Sequence, residues 1–235
     1  AVKEVVNGAE RRSIHVFDRD GTAVHKVYLE QPESAELFDR MVSDLHAANQ
    51  SPTQSVQPLD APAPERPDSD IDAAALRRDW QALKDTHEFF PMLGRHRVGR
   101  TQALRLAGPD LAAPVAPEVF PRLLEHAAAT GLSIMVFVSS PGVVQIHTGP
   151  VKNIKPMGPW INVLDPDFNL HLRQDRVAHA WVVRKPTTDR TVTSLELFDK
   201  AGETIALIFG ERKPGQPELE AWRATLDHVC SGAAR

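Results

Sequence analysis

The stretch DWQALKDTHEFFPMLGRHRVGR, residues 79–100, gathers residue types that carry chemistry. His87 offers an imidazole, which can ligate a metal or move a proton near neutral pH. Arg95, His96, Arg97, Arg100 and Arg105 follow within 18 residues of it. In a chain of net charge −4 such a cluster needs an anionic ligand or a set of carboxylate partners. Otherwise it marks a solvated strand edge, where positive charge blocks pairing. Arg97 and Arg100 are three apart, so they cannot share one face of a straight strand, and spacing alone does not make them a clamp. Leu76, Trp80, Leu83 and Phe90 recur at intervals of four, three and seven, with His87 in the slot between the last two. That periodicity places His87 on the packed stripe of a helix. A core histidine with a bonded partner is the commoner occupant of such a slot, and a ligand is the alternative.

Other side chains can join this one. Met135 and Phe137 share a strand face in LSIMVFV, as do Trp181, Val183 and Lys185 in WVVRK. Leu207 and Phe209 share a face of the last strand, and Arg212 follows just past Gly210. Each feature has an ordinary reading: apolar stripes are usually core, and cations at strand ends are usually solvated. Together, a buried histidine, apolar platforms and several cations at the rim suit a flat apolar ligand that carries carboxylates and a metal centre. Haem is such a ligand, its iron taking imidazole nitrogen and its propionates taking Arg and Lys. Spacing alone leaves that open. His147 and His171 match no zinc pattern, and GPVKNIKPMGPW lacks the glycine order of a phosphate loop, so that segment reads as turn and sheet. His15, His25, His46, His126, His179 and His228 carry no special case.

The elements that must position these residues form an α+β unit over residues 69–235. A helix is expected from about Asp72 to Phe90, with Ser69 or Asp70 as N-cap and Pro91 as its stop. A second helix, PEVFPRLLEHAAATG, ends at Gly131. LSIMVFV, VVQIHTG, NLHLR, VAHAWVVRK, TSLELFD and TIALIFG then read as strands. Short turns between them imply a mainly antiparallel sheet with helices packed on one side. The C-terminal pattern of strand, turn, strand and helix also occurs at residues 1–50. At an offset of 181, Ser13, Phe17, Asp18, Gly21 and Tyr28 fall on Ser194, Phe198, Asp199, Gly202 and Phe209. Residues 1–50 therefore read as the tail of a first repeat, and 51–68, rich in Pro, Ser and Ala, as a linker. Two strands and a helix cannot bury a sheet face alone. Either the chain is a fragment, or the tail packs on the second repeat or on a neighbouring molecule as a homodimer contact.

Composition narrows the classes further. The 235 residues, 42% hydrophobic and 25% charged, suit a globular protein with a real core. A pI near 6.2 argues against a dedicated nucleic-acid binder. One cysteine, Cys230, excludes an intramolecular disulfide and a four-cysteine zinc site, and fits a cytoplasmic setting. The longest apolar run, about seven residues, is too short to insert in a membrane.

Residues 145–173, QIHTGPVKNIKPMGPWINVLDPDFNLHLR, closely resemble the haemin-degrading and haem-trafficking family of bacterial haem-uptake systems, the HemS, ChuS and HmuS type. WVVRKPT, VTSLELFD, FGERKPGQPELEAWR, DTHEFF and RRSIHVFDRDGTAVHKVYL resemble it too, so only the Pro-rich linker lies outside the likeness. The resemblance implies tandem lobes that hold haem between a C-lobe sheet and helix and residues of the N-lobe. The axial histidine then matches His87, the haem-contacting arginines Arg97 and Arg100, and the pocket residues Met135 and Phe137. Lys185 matches the lysine at the open edge, and Arg212 the arginine after the last strand. Where some relatives carry a distal Gln and Tyr, this chain has Leu207 and Phe209, so that polar network is missing. The family's distal arginine belongs to the body of the N-lobe. The implied function is a cytoplasmic haem carrier, loaded by an inner-membrane importer and discharging to a downstream haem oxygenase. The alternative is an enzyme that opens the ring with external electrons and O₂.

Overall fold

A computed structural model describes residues 1–51, 53–59, 64–188, 190–213 and 215–231. Positions 52 and 60–63 of the expected linker lie outside the described residues. The chain divides into two units, one of residues 1–63 with Ser140–Val143, the other of residues 64–139 and 144–235.

The first unit is a meander of β1 (Val2–Val6), β2 (Ala9–Phe17) and β3 (Ala23–Tyr28), followed by α1 (Ala35–Asp44). Phe38 and Ser13 are its buried side chains among the described residues. Val5, Phe17, Tyr28 and Leu37 stay exposed.

The second unit opens on α2 (Ala73–Gln81), α3 (Phe89–His96) and α4 (Arg100–Ala107), then β4 (Ala112–Val115) and α5 (Val119–Thr130). Seven strands follow: β5 (Ile134–Ser140), β6 (Val143–Gly149), β7 (Ile154–Met157), β8 (Trp160–Asp165), β9 (Phe168–Arg173), β10 (His179–Lys185) and β11 (Val192–Phe198). The strand β12 (Thr204–Gly210) and α6 (Glu220–Ser231) close the chain. The main sheet runs β4-β10-β11-β12-β5-β6, antiparallel from β4 through β5, and β7-β8-β9 form a second antiparallel sheet.

The α+β, antiparallel expectation holds, but helices cover both faces of the main sheet. Ile134, Val136, Val182, Leu195, Leu197 and Ile208 share a core with Phe120 and Leu124 of α5 and Trp222 and Leu226 of α6. Val183 and Phe198, of opposite parity, join Leu76, Trp80, Met92 and Leu104 of α2, α3 and α4. The reason is in the strands: β11 is buried at every position, so neither face can be left to solvent. The second helical layer stops short of β12 and β5, leaving that end of the sheet open.

The expected helix from Asp72 to Phe90 is two helices. The N-cap of α2 is Asp72, whose carboxylate accepts from Ala75 N at 2.8 Å, and the helix ends at Gln81. Pro91 stops nothing. It sits in the first turn of α3, where its missing N–H has no intrahelical role. Gly131 caps α5 in the left-handed region, φ 68°, as its position predicts.

Candidate functional site

His87 stands between the two helices, and a capping box puts it there. Asp85 is extended and caps the turn Thr86–Glu88; its Oδ1 accepts from His87 N at 2.7 Å. Glu88 Oε2 reaches back to accept from Lys84 N at 2.8 Å and Asp85 N at 3.3 Å. The same Asp85 oxygen lies 2.5 Å from His87 Nδ1. The His87 backbone N–H, the His87 side chain and, more weakly, the nearby Arg212 hold the Asp85 carboxyl below its ordinary range, so it is ionised and can only accept. Nδ1 therefore carries the proton in the neutral ring, and Nε2 keeps the lone pair. The His87 side chain is 94% exposed, and Nε2 has no protein partner among the described residues. The packed-stripe expectation fails here, because the apolar spacing runs on across a backbone break. His87 is not a core histidine.

His87 stands at a cleft of about 340 Å³. One wall is the open end of the main sheet. Phe209 pairs with Met135 and Leu207 with Phe137 in direct cross-strand register, and the Phe137 and Phe209 rings meet edge-on at 5.2 Å. The helical side offers Phe90, 65% exposed, whose outward placement breaks its expected role in the helix stripe. Phe89 is the buried one of the pair and packs edge-on against Trp80 at 4.6 Å.

Arg100, Lys185 and Arg212 line the cleft; Arg97 does not. Arg97 is the left-handed C-cap of α3, φ 53°, exposed; its backbone N–H donates to Gly94 O, and its side chain has no polar partner among the described residues. The rest of the cationic cluster is largely taken by carboxylates: Arg95 and His96 by Asp79, and Arg105 by Glu65 and Asp68. None of these cations lies on a strand edge; they sit on α3 and α4.

Sequence reasoning missed Glu196, which lies at the centre of the site. It sits on β11, fully buried, on the same face as Ser194, and its row runs from Trp181 through Glu196 to Leu207 and Phe137. Arg100 donates to both its oxygens at 2.8 Å, Lys185 Nζ donates at 2.9 Å and Ser194 Oγ at 2.9 Å. Burial alone would raise the Glu196 pKa, but Arg100 and Lys185 overcome it and hold the carboxyl well below its usual range. Burial pulls the Lys185 ammonium down, and Glu196 opposes that shift. Both cations also stack on Phe89, Lys185 at 4.6 Å and Arg100 at 5.2 Å, and Arg100 on Phe90 at 5.1 Å. The detectable signal was a lone Glu inside VTSLELF, an otherwise uncharged strand.

His147 and His171 lie elsewhere. His147 stacks on Phe168 at 3.7 Å, and His171 Nδ1 lies 2.7 Å from Asn162 Oδ1. His171 borders a larger cavity, about 560 Å³, along β9 that contains none of the expected site residues. Among the described residues no group of three or more His, Cys, Asp or Glu could hold a metal ion.

In this α+β protein an apolar cleft thus has at its mouth an imidazole nitrogen with no partner among the described residues, and behind it the buried Arg100–Glu196–Lys185 cluster. The chain belongs to the haemin-degrading HemS/ChuX domain family, whose profile matches residues 1–45 and 97–229. His87 falls in the gap between the matched segments. The hemin transport protein HmuS of Yersinia pestis is 38% identical over 221 residues, 94% of this chain and 63% of that one. Among solved structures, holo-PhuS, a heme-binding protein from Pseudomonas aeruginosa, superposes with a TM-score of 0.92 at 48% identity, covering 96% of this chain and 65% of that one. The Escherichia coli O157:H7 heme degrading enzyme ChuS gives 0.86 at 37% identity, with 97% and 65% covered. The chain thus spans less than two thirds of the length of these relatives.

Proposed function

We propose that this chain binds haem in the cleft between α3 and the β5–β12 wall, with His87 Nε2 as the protein ligand to iron, and that it traffics haem in a bacterial uptake system. The observation that carries the reading is the His87 ring itself. It is exposed at the mouth of an apolar cleft, with Nδ1 bonded to a carboxylate and Nε2 left free. Carboxylate–imidazole pairing of this kind fixes the tautomer and raises the basicity of a ligating nitrogen. Met135, Phe137, Leu207 and Phe209 would pack the macrocycle, and the cations would face its propionates. Haemin titration tests it: a saturable Soret shift at micromolar protein is the expected outcome, and its absence rejects the reading.

The cytoplasmic carrier role, with an importer upstream and a haem oxygenase downstream, belongs to the same proposal. Among the described residues no helix is long and apolar enough to cross a membrane. The competing reading is oxidative ring opening, favoured by the ChuS likeness. Against it, the β12 wall of the cleft is apolar at Leu207 and Phe209, with no side chain there to hydrogen-bond a polar distal ligand. A single turnover of the haem complex with reductant and O₂, run with catalase, separates the two. The carrier keeps its Soret band; the enzyme loses it and releases iron.

A further inference from the structure

Two histidines far apart in sequence, which no motif announces, meet away from the cleft. His126 lies on α5 and His228 on α6, the two helices that share a core with the opposite face of the main sheet. Their imidazole rings face each other at the helix seam, with centroids 4.8 Å apart and planes tilted by 39°. His126 is half-buried and His228 is exposed. Among the described residues neither ring has a hydrogen bond or an ion pair; Thr130 and Ser231 donate only to the two backbone carbonyls. A neutral imidazole carries one N–H and one lone-pair nitrogen. For packing alone an aliphatic pair would serve the seam better, because each imidazole brings nitrogens that the seam leaves unbonded.

We infer that His126 and His228 form a two-histidine site for a divalent transition-metal ion of the Zn²⁺ or Cu²⁺ kind, which bridges α5 and α6. Imidazole nitrogen suits these ions, whereas Mg²⁺ and Ca²⁺ take oxygen. Each ligating nitrogen must stand about 2.0–2.1 Å from the ion, which a turn of two side chains already in contact can reach. Among the described residues no third His, Cys, Asp or Glu joins them, so water completes the shell. Cys230 lies near the end of α6, but burial and then Asp227 push its thiol pKa up, so it stays protonated and is a poor ligand. The ion ties α6, the last helix, to α5. The site is independent of what occupies the cleft.

The test titrates Cu²⁺ into the full chain carrying His87→Ala and Cys230→Ser, changes that remove the exposed cleft imidazole and the thiol as competing ligands. The expected result is one ion per chain, with an electron paramagnetic resonance signal split by two nitrogens. Adding His126→Ala or His228→Ala should each weaken binding about tenfold or more. Zn²⁺ should raise the thermal midpoint of the parent and of neither variant, because the bridged, folded chain alone offers both ligands. His228 is exposed, so His228→Ala should keep the fold and carries the test if His126→Ala does not fold. The inference is overturned if the two-nitrogen signal is missing, if either substitution leaves the affinity unchanged, or if Zn²⁺ does not move the parent's midpoint. With His87 restored, both substitutions should leave haemin affinity as it is, which separates this result from the haem reading.

Discussion

Asp85 and Glu196 do opposite things with a carboxylate. Asp85 is exposed, orients one imidazole and caps the Thr86–Glu88 turn, so its loss should touch binding most and folding modestly. Asp85→Ala is expected to lower haemin affinity about tenfold or more, as loss of a carboxylate that orients a metal-ligating imidazole does, with a small drop in the thermal midpoint from the lost cap. Glu196 is buried and holds two cations, so its loss should touch folding. Glu196→Gln is expected to cost about 3 kcal/mol or more in denaturant unfolding, because it leaves Arg100 and Lys185 buried without their counter-charge. The sign with pH follows from its depressed folded-state pKa. The carboxylate's contribution is fully present above the ordinary carboxylate range, about pH 4–5. It is lost only as pH falls through that range to strongly acid values, where wild type and Glu196→Gln should converge. At this scale His87, Arg100, Met135, Phe137, Lys185, Phe209 and Arg212, all singled out in the sequence, line one cleft, whereas Arg97 does not. Glu196 was not singled out, since a single Glu in a strand has no periodic signature.

The elements explain why the best-placed residue was also misread. The apolar spacing Leu76–Trp80–Leu83 continues to the His87 slot, yet the chain breaks after Gln81. The break was written in the sequence as D-x-x-E, Asp85 to Glu88, a capping-box pattern that overrides periodicity because it satisfies the backbone donors of a new helix start. The sheet was more legible, since alternation and short turns fix strands directly. What alternation did not give was that β11 is buried on both faces, which calls for the second helical layer and so creates the cleft where that layer ends. Gly210 governs the far wall. A Cβ there would lie 2.6 Å from Cβ and Cγ of Trp222, which is fully buried. Gly210→Ala should therefore destabilise the protein by about 1–3 kcal/mol, read as a lower denaturant midpoint, and should perturb Arg212 just beyond it.

Over the whole molecule the two halves of the sequence repeat share more than residue types. Val2, Ser13 and Tyr28 pair across β1-β2-β3 as Val183, Ser194 and Phe209 pair across β10-β11-β12, each at the offset of 181. The register irregularity between Val16 and Phe17 recurs between Leu197 and Phe198. Residues 1–50 are therefore a structural counterpart of the C-terminal strand, turn, strand and helix. With so few buried side chains, the first unit should be the less protected. Hydrogen exchange is expected to show β1–β3 amides opening well before those of β11, which is buried along its length.

Whether His87 Nε2 takes the iron is decided by titrating haemin into wild type and His87→Ala side by side. Because His87 is exposed, the variant should fold as the wild type does. A changed Soret spectrum and at least about tenfold weaker binding, on the order of 1.4 kcal/mol, are expected in the variant. Wild-type binding should weaken as pH falls, because protons compete with iron for the imidazole. A variant whose spectrum and affinity match the wild type would contradict ligation by His87.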